Sequence, residues 1–229
     1  MASTASDYFG SMIEAYDSLV RRAVPRYAEM TERLVEYLPE DAARVLELGC
    51  GTGNLSLRLA ARYPSAAITF VDASAEMVEF TRARIAEAHP EAAAHGRFVV
   101  SRFEELEIQP EAYDLVTSAI SLHHVADKAA LFRAVRRMTA PGGTFRFADQ
   151  MWGATEANAA LNWRRWLDFC RQPGNCTEEE IESLVAHADA HDHYEPVADH
   201  LRMLEDAGFE RVDCVWRNWM WGIVTAEAV

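Results

Sequence analysis

A short apolar strand, Arg44 to Leu48, runs directly into Gly49-Cys50-Gly51-Thr52-Gly53, and this junction constrains the chain more than any other feature. Glycines here let the backbone turn sharply and let a ligand approach with no Cβ in the way. A strand-to-helix turn of this kind sits at the carboxyl end of a strand, where open α/β sheets bind their ligands. The spacing is Gly-x-Gly-x-Gly, with Glu47 inside the strand and Asn54 where dinucleotide enzymes carry a third glycine. No Gly-Lys-Ser/Thr follows, which excludes a triphosphate loop. Glu47 repels a pyrophosphate and suits a ligand that carries an ammonium group. Asp72, some twenty residues on, stands where an acidic side chain accepts both hydroxyls of a ribose.

Helix and strand signals alternate around this turn. Strands are expected at Ala67 to Val71, Arg97 to Val100, Tyr113 to Ser118 and Thr144 to Ala148, the last after a Pro141-Gly142-Gly143 turn. Helices are expected at Leu55 to Tyr63, at Ser74 to Ala88 with Ser74 as N-cap, and at Lys128 to Met138. The rhythm implies a doubly wound, mostly parallel α/β sheet with helices on both faces. Before it, apolar stripes at Ile13 to Val24 and Tyr27 to Leu38, interrupted by Pro25, predict a helical cap over 1–40. After it, 152–193 reads as a helical insertion over the sheet's carboxyl edge. A helix over Pro196 to Ala207 and an antiparallel pair over Phe209 to Trp216 and Asn218 to Ala226 complete seven strands, ending on an antiparallel one. With no repeat and no low-complexity linker, 1–229 reads as one domain.

Composition narrows the function. Half the residues are hydrophobic, and 36 acidic against 22 basic residues give a formal charge of -14. Such a surface opposes nucleic acid and anionic membranes. Absence of an apolar leader or a bilayer-length run gives the expectation of a cytoplasmic protein without membrane contact. The four cysteines follow no disulfide spacing. His187 and His191 share a helical face, but the spacing fits no compact zinc signature, so no metal is expected. The Trp163, Trp166 and Phe169 stripe reads as core.

From Arg44 to about Asp149 the chain resembles the core of class I S-adenosylmethionine-dependent methyltransferases. Glu47 to Gly53 is similar to their first motif, Ile68 to Ser74 to the second, Ala112 to His124 to the fourth-strand motif, and Ala140-Pro141-Gly142-Gly143 to the turn before their fifth strand. The resemblance implies S-adenosyl-L-methionine as cofactor. It implies that Glu47, Gly49, Cys50 and Gly51 meet the methionine portion, Asp72 the ribose, and Ala73 and Met77 the adenine. Arg102 stands where the family often has an acidic residue for the adenine amine, and an arginine cannot accept that hydrogen bond. Phe103 stacking then becomes the expected adenine contact, with Ser118 nearby.

His123, just past the fourth strand, is the candidate general base. His124 is expected to pack further inward. It joins Tyr8, Tyr16, Asp149 and Trp152 as a candidate acceptor contact. A small-molecule acceptor in a closed pocket is the leading expectation. An RNA-modification enzyme and a non-catalytic cofactor-binding module stay open beside it. Arg21 to Tyr27 and Ala207 to Ala226 weakly resemble the carboxy-S-adenosylmethionine synthase subgroup. Met203 stands where that synthase needs a basic residue, with Arg202 beside it, which favours ordinary methyl transfer.

Overall fold

The computed structural model describes residues 13–107 and 109–229. Tyr8 lies outside them, as does the side chain of Tyr16. Seven strands form one sheet: β1 Arg44–Leu48, β2 Ala67–Asp72, β3 Arg97–Val100, β4 Tyr113–Ala119, β5 Thr139–Gln150, β6 Glu210–Asn218 and β7 Trp221–Glu227. Their order is β3-β2-β1-β4-β5-β7-β6. The first five run parallel, and β7 pairs antiparallel with both β5 and β6. The final hairpin thus inserts its second strand against β5, and the antiparallel strand lies inside the sheet, with β6 at the edge. β5 starts earlier than expected, at Thr139, because a register shift against β4 carries the strand through the Pro-Gly-Gly segment.

Alternation along β1 divides the core. Val45 points to one face with Leu34, Leu59, Val78 and Ile85. Leu46 and Leu48 point to the other with Phe132, Val135, Phe145 and Leu204. Helices α1 Ile13–Ala23, α2 Tyr27–Glu36, α3 Asn54–Arg62 and α4 Ala75–Ala88 belong to the first set. A short helix, α5 Pro90–His95, follows α4 and has no expected counterpart. On the opposite face lie α6 Lys128–Met138 and α9 Val197–Asp206.

Local chemistry sets the boundaries. The Ser74 hydroxyl accepts from Met77 N and caps α4. The insertion holds α7 Glu156–Cys170 and α8 Glu178–His191. The latter opens on a capping box in which Thr177 and Glu180 satisfy each other's backbone N–H groups,. Insertion and cap are fastened together. Trp166 Nε1 donates to Ala23 O at 2.9 Å, and the Arg22 guanidinium donates to both Glu180 oxygens at 2.8 and 2.6 Å. The Arg22 pair holds the Glu180 carboxyl near 2. Trp166 is buried and the Trp163 ring lies 4.7 Å from it, so the aromatic stripe is core as expected. No helix of the described residues is long and apolar enough to cross a membrane.

Candidate active site

The carboxyl ends of β1, β2 and β4 open into a cavity of about 1110 Å³. The glycine turn forms its floor. Gly49 N and Cys50 N both donate to Val71 O, at 2.8 and 2.9 Å, and this locks the turn to β2. Gly49 has φ +75, and a Cβ there would lie 2.3 Å from Ser121 Oγ. Asp72 ends β2 with its carboxylate accepting from Gly51 N at 2.9 Å and Ser74 N at 3.0 Å. Burial lifts its pKa, and those N–H groups pull it back. Each oxygen keeps acceptor capacity toward the cavity, as a ribose requires.

Glu47 is 1 % exposed, lines the cavity, and accepts from Ser56 Oγ at 2.6 Å. Burial pushes its carboxyl to about 8, against the pull of Ser56, and the Asp72 carboxylate adds to the rise. It is therefore mostly protonated at neutral pH in the ligand-free protein. The folded value lies above the ordinary one, so stability falls as pH rises from about 4.5 through 8 and levels off beyond. An ammonium group placed beside Glu47 favours the ionised form. Binding of S-adenosylhomocysteine at pH 7 should then release close to one proton, read by calorimetry in buffers of different ionisation enthalpy. Glu47→Gln should abolish that release; equal release from both proteins would place the proton elsewhere.

Every expected cofactor residue except one lines this cavity: Glu47, Gly49, Cys50, Gly51, Asp72, Ala73, Met77, Arg102 and Phe103. Arg102 stands half-exposed and pairs with Glu104 at 3.7 Å. Ser118 is the exception. It is fully buried, and its Oγ lies 2.7 Å from Ser121 Oγ, which in turn donates to Leu48 O at 3.1 Å. Ser121 reaches the cavity and Ser118 supports it.

The histidine pair is reversed from expectation. His124 lines the cofactor cavity, whereas His123 is 3 % exposed and turns away from it. The two sit on a tight 3-10 turn, Leu122–His124, which sends adjacent side chains in different directions. His123 Nδ1 lies 2.6 Å from Asp149 Oδ1. Asp149 is fully buried and lines neither of the two cavities, and its carboxylate holds the His123 ring. Trp152 also lines neither. Its ring packs on Tyr194 and Trp163.

His123 faces a second cavity of about 620 Å³, walled by Val20, Val24, Trp166 and Trp221 and closed at one end by Gln150, Asp192 and Tyr194. The two cavities meet at Ile120, which borders both. Ile120 has φ +54, a conformation costly for a β-branched residue, and donates its N–H to Ala148 O at 2.8 Å,. Strain of this kind persists where surrounding structure enforces it, often at functional sites.

Several site residues carried no motif. Asp17 on α1 accepts from Thr52 Oγ1, from Asn54 Nδ2 at 2.9 Å and from Arg84 at 3.0 Å, and so fastens the cap to the glycine turn. Tyr27 and Thr31 of α2 line the cofactor cavity. Their only signal was membership of a predicted cap. Arg202 and Met203 lie on α9, which packs against α6 and β6, and neither lines the cavity.

A parallel sheet with an acid at the end of β2, a glycine turn that a Cβ would fill, and a buried carboxyl suited to an ammonium together define a nucleoside-cofactor site of the Rossmann-like kind. Comparison with known proteins sharpens this. Residues 45–143 match the methyltransferase domain family. The chain is 34 % identical over 129 residues to malonyl-[acyl-carrier protein] O-methyltransferase of Geobacter sulfurreducens, covering 53 % of this chain and 46 % of the relative. It is 36 % identical over 127 residues to trans-aconitate 2-methyltransferase of Streptomyces avermitilis, covering 55 % and 45 %. The chain thus spans about half the length of these curated relatives. Two solved structures share the fold. One is a chain of the complex between the Haloferax volcanii Trm112 methyltransferase activator and a methyltransferase (TM-score 0.71, 17 % identity, covering 98 % and 97 %). The other is Haemonchus contortus phosphoethanolamine N-methyltransferase 2 with phosphomonomethylethanolamine and S-adenosylhomocysteine (TM-score 0.69, 16 % identity, covering 97 % and 59 %). Residues 45–143 thus resemble a methyltransferase domain, and the chain as a whole shares the fold of the two solved methyltransferase structures.

Proposed function

We propose that this protein is a class I S-adenosylmethionine-dependent methyltransferase that methylates a small organic acceptor held in the second cavity. The observation that carries the proposal is the joint between the two cavities at Ile120, which puts a half-open, mostly apolar chamber next to the cofactor pocket. Its apolar wall suits the body of a small molecule, and the His123, Gln150 and Tyr194 end suits a polar group on it. The acidic balance supports a small acceptor over a nucleic acid,. The named substrates of the relatives, trans-aconitate and an acyl-carrier-bound malonyl group, support acceptors of modest size at the reacting end.

When bound, the cofactor supplies a methyl group on a sulfonium, which needs no proton to leave. The chain's part is therefore chiefly positional. Glu47 and Asp72 line the cofactor pocket, and Ile120 borders both cavities at the joint where methyl and acceptor meet. Helices α1, α7 and α8 contribute Val20, Trp166 and His187 to the wall of the second cavity. Alignment of reacting atoms alone supplies on the order of 7–11 kcal/mol. Asp149 accepts from the His123 ring and fixes its orientation at the edge of the second cavity.

The test is formation of S-adenosylhomocysteine by the purified chain with fractionated small-molecule extract, against RNA and acyl-carrier protein as competing acceptors. Turnover with the small-molecule fraction is expected. Turnover with only a macromolecule would overturn the reading. Asp72→Ala should weaken cofactor binding by about 1.5–3 kcal/mol, the range for hydrogen bonds to a charged group. Unchanged affinity in the folded variant would move the ribose anchor elsewhere.

A further inference from the structure

One concentration of ionisable side chains belongs to neither the glycine turn nor the ribose acid. It lies where the turn after β4 meets the end of α8. Asp192 Oδ1 sits among three imidazoles: 3.0 Å from His124 Nδ1, 3.7 Å from His187 Nε2 and 3.9 Å from His123 Nε2. Ligand-capable atoms of His123, His124 and Asp192 all lie within 4.8 Å of one another. In a tetrahedral zinc site, with bonds of about 2.0–2.1 Å, neighbouring ligand atoms stand about 3.3–3.4 Å apart. The three separations around Asp192 straddle that distance.

The surroundings are built as a ligand set needs. Metal-binding histidines commonly donate their second ring N–H to a carboxylate, which fixes tautomer and orientation. His123 presents Nε2 to the cluster and places Nδ1 2.6 Å from Asp149. Tyr194 OH donates to Asp192 Oδ2 at 2.5 Å and leaves Oδ1 facing the imidazoles. The two contributing segments are pinned together: His193 N donates to His123 O at 2.7 Å, and Lys128 Nζ donates to Val125 O at 2.9 Å and to His193 O. Asp192 caps the carboxyl end of α8, where the helix dipole favours a cation,. The side chains of Asp149 and Asp192 are 0 % and 5 % exposed. Two carboxylates so buried call for positive charge beside them, and Lys128 supplies one.

We propose that His123, His124 and Asp192 bind one divalent transition-metal cation, with His187 packed beside the cluster. Two imidazoles and one carboxylate favour zinc, with water in the fourth position. The ligands come from two distant segments, so the cation acts as a clamp. It ties the insertion helix α8 to the turn after β4 and fixes one end of the second cavity. The site itself stands without the small-acceptor reading; only its consequence for the acceptor rests on it. The linear spacing concealed it, because His123-His124 and Asp192 lie far apart in the chain and the histidine pair alone fits no zinc signature.

The full chain, purified without a histidine tag, is stripped of metal and titrated with Zn²⁺ and with Co²⁺. The expected result is one equivalent bound and, for cobalt, the intense visible bands of tetrahedral geometry. Asp192→Ala and His123→Ala should abolish those bands. Tyr194→Phe should weaken affinity about 10–100-fold, as loss of an outer-ring partner does. S-adenosylhomocysteine binding, measured on each variant without metal, reports that it is folded. Wild-type affinity for zinc no tighter than that of folded Asp192→Ala, or octahedral cobalt spectra in both, would overturn the site. A chain that binds zinc as described but methylates nothing would uphold the site and sink the proposed function. One that methylates and binds no zinc does the reverse.

Discussion

Gly49→Ala should destabilise the protein and abolish measurable cofactor binding. The new Cβ would lie 2.3 Å from Ser121 Oγ and 2.4 Å from Ser121 Cβ, on a backbone with φ +75. The left-handed conformation costs an alanine about 1–2 kcal/mol, and forcing atoms into a packed site about 1–3 kcal/mol more. Ser121 has little room to yield, because its hydroxyl is tied to Leu48 O and Ser118 Oγ. Relief must come from the glycine turn itself, which forms the cofactor floor. Gly51→Ala is the control. It shares a positive φ, +50, but a Cβ there meets nothing within 4 Å, so only backbone strain remains. Denaturant unfolding and calorimetry with S-adenosylhomocysteine would measure both. Equal losses in the two variants would mean that contact with Ser121 is unimportant.

Trp221→Ala carries the second large effect, about 3–5 kcal/mol of stability, the usual cost of deleting a buried large aromatic. Trp221 is 1 % exposed at the start of β7 and walls the second cavity. Its ring lies 6.4 Å from Trp166, which is bonded to Ala23 of the cap. Removing it loosens the insertion and the cap from the sheet together. Trp221→Phe should behave very differently. It retains most of the apolar surface and deletes an indole N–H that has no partner among the described residues. Its cost should stay below about 1.5 kcal/mol. In turnover assays Trp221→Ala should raise the acceptor KM far more than the cofactor Kd. Comparable stability of the alanine and phenylalanine variants would show that the ring is not what joins the layers.

The parallel sheet and the cofactor floor were legible in the chain because their signals are local. A strand feeding glycines, an acid one crossover later and a capping serine are each read within a few residues. Ser118 and Ser121 show where that reading stops. Ser118 lies near the end of β4 and Ser121 just past it, and only the fold decides that Ser121 faces the cavity while Ser118 supports it. His123 and His124 differ by one position, and a 3-10 turn has no period that assigns them to sides. The place of β7 escaped for another reason. A hairpin can add to a sheet by either of its strands, and the choice depends on packing of α9 and on the partner presented by β5. Asp17 and the cluster around Asp192 depend on contacts between distant segments, which no spacing records.

Helix α1 touches the surroundings of both chambers. Its Asp17 holds Thr52 and Asn54 of the glycine turn and Arg84 of α4, and its Val20 and Ala23 wall the second cavity. Under the proposed function a single helix therefore touches the surroundings of two occupants. Linkage is reciprocal, so whatever factor the methyl donor applies to the affinity for the acceptor, the acceptor applies to the affinity for the donor. On that reading, discrimination among acceptors is to be measured on a chain already loaded with methyl donor.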